Sequence, residues 1–313
     1  MLISNQSYRT EFDKAIAGAV LRKDLIKQIF EEDRQVHLFQ APAGHGKTTT
    51  LRQLKTHLEE RGWQTSWLTF DLRDNDPQKF GSTLSSFIKD LNINSQSDSF
   101  EYGSSFNLLD SFLEILYNIK SPTALFFDEF QVLNDDYCIR FFKDLLGHLP
   151  ENVKIYIASR VYPDLGLANL AVKGVLKKID VSSLSFSEKE VKEFFAQSFD
   201  VEINDLEISS IYKKTVGWPA ALQLFKLALP NQNVRSALIE SELYSPKELA
   251  EYLSDSVLSL QPEHIKSFLL ASAVLRKMNV EQCNFVLQRT DTASILDYMV
   301  ASGLFISETN LDS

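Results

Sequence analysis

The chain has little sulfur chemistry available to it. Its 313 residues hold two cysteines, Cys138 and Cys283, far apart and each set among helix-patterned apolar residues. That pattern suits structural thiols in a reducing compartment and places the chain in the cytoplasm; one disulfide is the alternative. The five histidines are scattered, and no Cys/His group has zinc spacing. No apolar run approaches the ~20 residues a membrane-spanning helix needs, so no membrane partner is expected. The first twenty residues include Arg9, Glu11, Asp13 and Lys14 without an uninterrupted apolar stretch, which excludes a secretory signal. Positive charge is also short: 32 Lys and Arg face 42 Asp and Glu, a net charge of −10. Such a balance disfavours a broad grip on a nucleic-acid backbone. No basic recognition helix is evident, since Arg276 and Lys277 stand alone, and no internal repeat is visible. What is present is a hydrophobic fraction of 44% against 24% charged residues. That is enough for a buried core, and the length suits about two domains.

The most informative stretch is Ala41-Pro42-Ala43-Gly44-His45-Gly46-Lys47-Thr48-Thr49. It follows the short apolar run Val36-His37-Leu38-Phe39 and opens a helix-patterned segment, the setting of a phosphate-binding loop. Backbone N–H groups of such a loop cradle an anion, and the helix behind it contributes positive potential at its N-terminus. Gly44 and Gly46 admit close approach of the phosphates. The His45 backbone matters more than its ring. Lys47 can reach the outer phosphates and the Thr48 hydroxyl can ligate Mg²⁺. Ala41 stands where the usual pattern has its first glycine.

A second half-site follows 81 positions after Lys47. Thr123 to Phe127 is a continuous apolar run, as in a buried parallel strand, and it ends in Asp128 and Glu129. Ligands bind at that end of such strands. Asp128 is the candidate Mg²⁺ holder, through an intervening water, since Mg²⁺ keeps several waters. Glu129 is the candidate to orient or deprotonate an attacking water. A third strand, Val153 to Ile157, ends at Ser159-Arg160. By spacing alone, Arg160 is either a γ-phosphate contact or a surface arginine.

Strands alternating with helices through residue 160 predict a mostly parallel α/β sheet covered on both faces. Helices are expected over Asp24–Phe30, Lys47–Arg61 (stopped by Gly62), from Pro77 onward, Phe106–Ile119 and Ile139–Leu149, with a strand at Trp67–Phe70 and a loop over Asn92–Ser105. Beyond about residue 180 helical periodicity dominates. Ser187-Glu188-Lys189-Glu190 reads as a capping box and Ser245-Pro246-Lys247-Glu248 as a second entry. Gly217-Trp218-Pro219 breaks and restarts a helix. Helices near 247–259, 263–273, 280–288 and 292–302, followed by Leu304-Phe305-Ile306, suit a winged-helix module. The expected domains are therefore 1–180, 181–243 and 244–313.

Several further segments follow along the chain: Asp74-Asn75-Asp76-Pro77 with Phe80, Leu149-Pro150-Glu151-Asn152, Ser159-Arg160 with Pro163, Leu184-Ser185-Phe186-Ser187, and Gly217-Trp218-Pro219-Ala220-Ala221-Leu222-Gln223-Leu224. With the loop and Phe127-Asp128-Glu129, they make the chain resemble the nucleotide-binding module of MalT-type, large LuxR-family transcription regulators of the STAND class. The resemblance implies a P-loop NTPase domain, a helical domain and a winged-helix domain. It implies that ADP holds a resting form among the three. ATP plus an inducer allows a self-associating form, and slow hydrolysis resets it. It places Lys47, Thr48 and Asp128 at phosphate and Mg²⁺, Arg160 at the sensor position, Pro219 on the adenine side, and Val20 and Arg22 in a nucleotide-contacting N-terminal segment. It also implies that the inducer and DNA engage C-terminal regions absent here, DNA through a helix-turn-helix. The chain departs from the family in having Glu129 for a second aspartate and Leu170-Ala171-Val172-Lys173 for Leu-Arg-x-Arg, and it lacks a Met-His-Asp triplet. The ending Asn310-Leu311-Asp312-Ser313 reads as a cut within a longer chain. A remodelling or motor ATPase of the AAA+ kind is the alternative reading.

Overall fold

The computed structural model describes residues 19–32, 34–89, 108–197, 203–232, 235, 251, 255, 258–259, 261–275 and 278–301. The chain divides into two compact units, one of Leu21–Ser185 and one of Ala19 and Val20 with the described residues from Phe186 onward. The expected loop over Asn92–Ser105, the capping entry at Ser245 and the apolar Leu304-Phe305-Ile306 lie outside the described residues.

The first unit is built on five strands: β1 (Val36–Gln40), β2 (Gln64–Thr69), β3 (Thr123–Asp128), β4 (Val153–Ser159) and β5 (Leu176–Ile179). Their order is β2-β3-β4-β1-β5 and every pairing is parallel. The central strands read as apolar runs because both of their faces are covered. All six residues of β3 are buried, whereas the edge strands β2 and β5 are mostly only part-buried. In β5 the pair Lys177-Lys178 breaks the apolar pattern. That hid the strand from sequence reasoning and also guards an open sheet edge.

Side chains alternate between two cores along each central strand. Val36 and Leu38, Leu125 and Phe127, and Val153, Ile155 and Ile157 enter one core. There they meet α3 (Pro77–Lys89) through Phe80, Leu84 and Phe87, α4 (Leu108–Asn118) through Phe112 and Leu116, and α5 (Asp136–Gly147) through Phe141, Phe142 and Leu145. Phe39, Ala124, Phe126, Tyr156 and Ala158 enter the other core, against Ile26 and Ile29 of α1 (Lys23–Glu31) and Leu51, Leu54 and Leu58 of α2 (Lys47–Glu59). On this second face the register lines up Trp67, Phe126, Tyr156 and His37 across four strands. Neighbouring rings stack at 5.6, 4.9 and 4.8 Å between centroids. His37 is fully buried at the end of this row, and burial, then Lys154 and Lys177, push its pKa down to about 3.

After β4 the chain forms α6 (Leu167–Val172), β5 and the short α7 (Val181–Leu184). Arg22, at the entry to α1, is buried, and its guanidinium donates to the carbonyls of Ser183, Leu184 and Ser185 at 3.2, 2.5 and 3.0 Å.

In the second unit, α8 (Glu188–Ala196) starts from the expected capping box, with Ser187 and Glu190 exchanging side-chain and backbone hydrogen bonds. α9 (Asp205–Thr215) repeats the device with Asn204 and Glu207. α10 (Pro219–Ala228) begins with Pro219 in its first turn, where the missing N–H costs nothing. α11 (Glu263–Ser272), α12 (Val280–Leu287) and α13 (Thr292–Ala301) follow. Their core includes Val20, Val191, Phe195, Ile211, Leu222, Phe225, Phe268 and Met299, and Trp218 packs against it as an ordinary core aromatic. Gly217 takes a φ of +70°, and its carbonyl accepts from the Phe186 N–H at 2.8 Å. A Cβ on Gly217 would fall 2.0 Å from the Phe186 carbonyl oxygen. Two segments singled out in the sequence, around Phe186 and around Gly217, thus meet in one backbone contact.

Candidate functional site

Parallel strands deliver all their C-terminal ends to one edge of the sheet. β1 there runs into the loop 41–46, β3 into Asp128-Glu129 and β4 into Ser159-Arg160. β4 lies between β1 and β3, so Arg160 emerges between the loop and the two carboxylates. Gln40 is level with Ser159, and the Ala41 N–H donates to the Ser159 carbonyl at 3.3 Å.

Gly44 and Gly46 have φ values of 77° and 72°, left-handed conformations that a side chain would strain. Gly46 caps α2 without any side-chain hydrogen bond to the helix start. The first N–H groups of α2 therefore have the orientation that suits an anion. Pro42, Ala43, Gly44 and Thr49 are exposed, His45, Gly46 and Thr48 half-buried. The His45 ring stays within the loop, its Nδ1 3.2 Å from the Ala43 carbonyl.

Lys47 is 7% exposed, and its ammonium donates to the carbonyls of Ala41 and Pro42 at 2.7 and 2.9 Å. Desolvation lowers its pKa, with Glu129 acting in the opposite direction. A buried cation whose hydrogen bonds go to neutral carbonyls can take an anion as a further partner, and a polyphosphate is one. The Thr48 hydroxyl donates to Asp128 Oδ2 at 2.8 Å, joining segments 80 residues apart. Asp128 is buried and burial raises its pKa, while the Thr48 hydroxyl and the Glu129 N–H, 2.9 Å from Oδ1, pull the other way. A desolvated carboxylate beside a hydroxyl is a hard-oxygen donor set, fitting for Mg²⁺ with waters completing the shell.

Glu129 has a φ of 54°, a left-handed conformation that costs a non-glycine residue about 1–2 kcal/mol. Its carboxylate is held by Arg160, Nη2 to Oε2 at 3.0 Å, and by the Gln131 amide at 2.6 Å. Gln131 also accepts from the Arg160 N–H at 2.9 Å. Sequence reasoning missed Gln131. Its amide bridges Glu129 and Arg160, and the available signal was a polar side chain two residues beyond the carboxylate pair. Lys47, Thr48, Asp128, Glu129 and Arg160 all belong to the first unit and gather at one edge of its sheet. Arg22 belongs to that unit too, its guanidinium committed to the 183–185 carbonyls. Val20 and Pro219 belong to the second unit. The segment 170–173 forms the end of α6 and its cap. Among the described residues no cluster of three His, Cys, Asp or Glu could hold a metal by itself, and no helix is long and apolar enough to cross a membrane.

A central parallel strand, a glycine-bearing loop, a helix, and a facing aspartate bonded to the loop's threonine define a P-loop nucleotide-binding α/β fold. Residues 22–136 match the AAA domain family, and residues 254–313 match the MalT winged helix domain. The chain is 27% identical over 290 residues to the HTH-type transcriptional regulator MalT of Yersinia enterocolitica, and equally to that of Yersinia pestis. Each match covers 90% of this chain and 32% of the relative, so the chain spans about a third of their length. The chain is thus similar to an AAA domain in its first part and to the MalT winged helix domain in its last. Among solved structures, a Walker-type ATPase of Pyrococcus abyssi overlaps 92% of this chain and 91% of its own at 15% identity, with a TM-score of 0.45. An overlap this loose says nothing of function.

Proposed function

We propose that the chain is a nucleotide-operated switch within a transcription activator, binding ADP or ATP with Mg²⁺ and hydrolysing ATP slowly. The observation that carries this reading is the 2.8 Å contact between Thr48 and Asp128 beside a buried Lys47. Bound Mg²⁺ would supply charge neutralisation at the phosphates. Thr48 and Asp128 would hold it, Lys47 and the loop N–H groups 43–49 would grip the phosphates, Glu129 would orient the attacking water and Arg160 would touch the γ-phosphate. Glu129 and Arg160 are bonded to each other here. Each must let go of the other to do its part, which suits slow turnover.

One γ-phosphate is a small lever. A charge-assisted contact contributes about 1.5–3 kcal/mol, whereas moving a two-state protein from 1:99 to 99:1 takes about 5.5 kcal/mol. A second input is therefore required. We place it, with DNA binding, in the part of the relatives that this chain does not span; their being HTH-type regulators supports that. Self-association in the ATP-bound state belongs to the same reading. Val20 and Pro219 remain the proposed nucleotide contacts outside the sheet unit, together with Arg22 within it. The AAA-domain match leaves a remodelling ATPase as the rival. Denaturing the purified protein and chromatographing the released nucleotide separates them. Retained ADP with turnover far below the enzyme median of about 10 s⁻¹ supports the switch. No nucleotide and fast, partner-stimulated turnover refutes it.

A further inference from the structure

Asn75 ends a short 3-10 turn, Leu72–Asn75, that follows β2. Its side chain makes four hydrogen bonds, all to main chain. Nδ2 donates to the carbonyls of Val132 at 2.9 Å and Leu72 at 3.2 Å. Oδ1 accepts from the N–H groups of Asn134 at 2.7 Å and Asp135 at 3.0 Å. Those two donors fix which end of the amide is oxygen. Three of the four bonds land on Val132–Asp135, the exit of the turn that carries Glu129 and Gln131.

That turn needs fixing. Its entry is held by the Glu129 N–H on Asp128 Oδ1, and its interior by the Val132 N–H on the Glu129 carbonyl. Between them Glu129 keeps its left-handed backbone, a conformation that persists only where the surroundings over-determine it. Asn75 supplies the restraint at the far end. It is itself well anchored, because the neighbouring buried Asp74 accepts from the Asp71 N–H at 2.8 Å and from the Thr83 hydroxyl at 3.0 Å. Downstream, Asp135 caps α5 by accepting from the Tyr137 and Cys138 N–H groups. The polar triplet after β2 thus ties the turn bearing the carboxylate to α3 and α5.

We propose that Asn75 is a positioning residue for ATP hydrolysis, aiming the Glu129 carboxylate and its Gln131 and Arg160 partners by pinning the turn at its exit; the proposal rests on the hydrolytic reading above. Misplacing a reacting group by about 1 Å can cost on the order of 100-fold in rate. The experiment measures steady-state ATP hydrolysis and the Kd for a fluorescent ATP analogue in wild type, N75A, E129Q and N75A/E129Q. The expected result is a kcat lowered roughly 10- to 100-fold in N75A, with Kd unchanged and the double variant no slower than E129Q alone, since both act through one group. A kcat unchanged in N75A, or a loss that multiplies with that of E129Q, overturns the proposal. If N75A loses nucleotide binding or melts early, N75D decides. It keeps the acceptor for Asn134 and Asp135 but loses the donor to Val132, so a lowered kcat at unchanged Kd is expected and an unaltered kcat refutes. Wild-type protein that binds and hydrolyses nothing would instead bring down the functional reading, and this proposal with it.

Discussion

Acid should weaken this fold through one buried imidazole. His37 ends the stacked row on β1, fully buried, with Lys154 and Lys177 nearby. Its proton affinity drops from an ordinary value of 6.5 to about 3 on folding. The unfolded chain therefore takes up a proton that the native state refuses, so native stability falls as pH drops below about 6.5 and continues to fall toward about 3. Between pH 7 and pH 5 that difference amounts to about 2 kcal/mol, approaching about 5 kcal/mol at the acid limit. The assay is urea unfolding at pH 7, 6 and 5 for wild type and His37→Phe, a ring that can keep the stack on Tyr156. Above pH 5 most carboxylates stay ionised, and the comparison subtracts the other titrating groups. The wild type should lose about 2 kcal/mol more than the variant over this interval. Equal losses in the two proteins would show that His37 is not held neutral by burial.

Two further substitutions test other joints. Gly217→Ala puts a Cβ 2.0 Å from the Phe186 carbonyl at a φ of +70°, and should destabilise the helical unit by about 3 kcal/mol or more; a melting temperature unchanged in calorimetry would refute the contact. Arg160→Ala removes a cation placed beside the Glu129 carboxylate, and should cut the preference for ATP over ADP by roughly 10- to 100-fold, measured by competition binding; an unaltered ratio would remove Arg160 from the γ-phosphate.

The parts of the fold written in local patterns were legible in the sequence. Buried central strands read as apolar runs, so β3 and β4 were expected nearly residue for residue. The helix after the loop ends at Glu59, slightly before the expected Arg61, and Gly62 follows with a φ of 80°. The strand β5 was missed because a four-residue edge strand carrying two lysines resembles a loop. The short α6 and α7 lack the length that makes helical periodicity visible. Within the site, the meeting of the loop with the Asp128-Glu129 pair was legible because each follows an apolar strand run, and the Thr48–Asp128 bond joins them. Gln131 and Asn75 were not assigned roles, because these come from register. Only the sheet order, with β4 inserted beside β3, brings Arg160 to Glu129, and only the tertiary path of the turn after β2 brings Asn75 to Val132. The Phe186–Gly217 contact is a middle case: both segments were noted, but their meeting is a fact of three-dimensional packing.

The central claim is that the loop before α2 grips a polyphosphate completed by a divalent ion at Thr48 and Asp128. The most direct measurement is equilibrium binding of ATP and ADP, with and without Mg²⁺, to wild type and Lys47→Ala. The account predicts Mg²⁺-dependent binding by the wild type and its loss in the variant, with the fold intact by circular dichroism. Undiminished nucleotide uptake by a folded Lys47→Ala protein would contradict it.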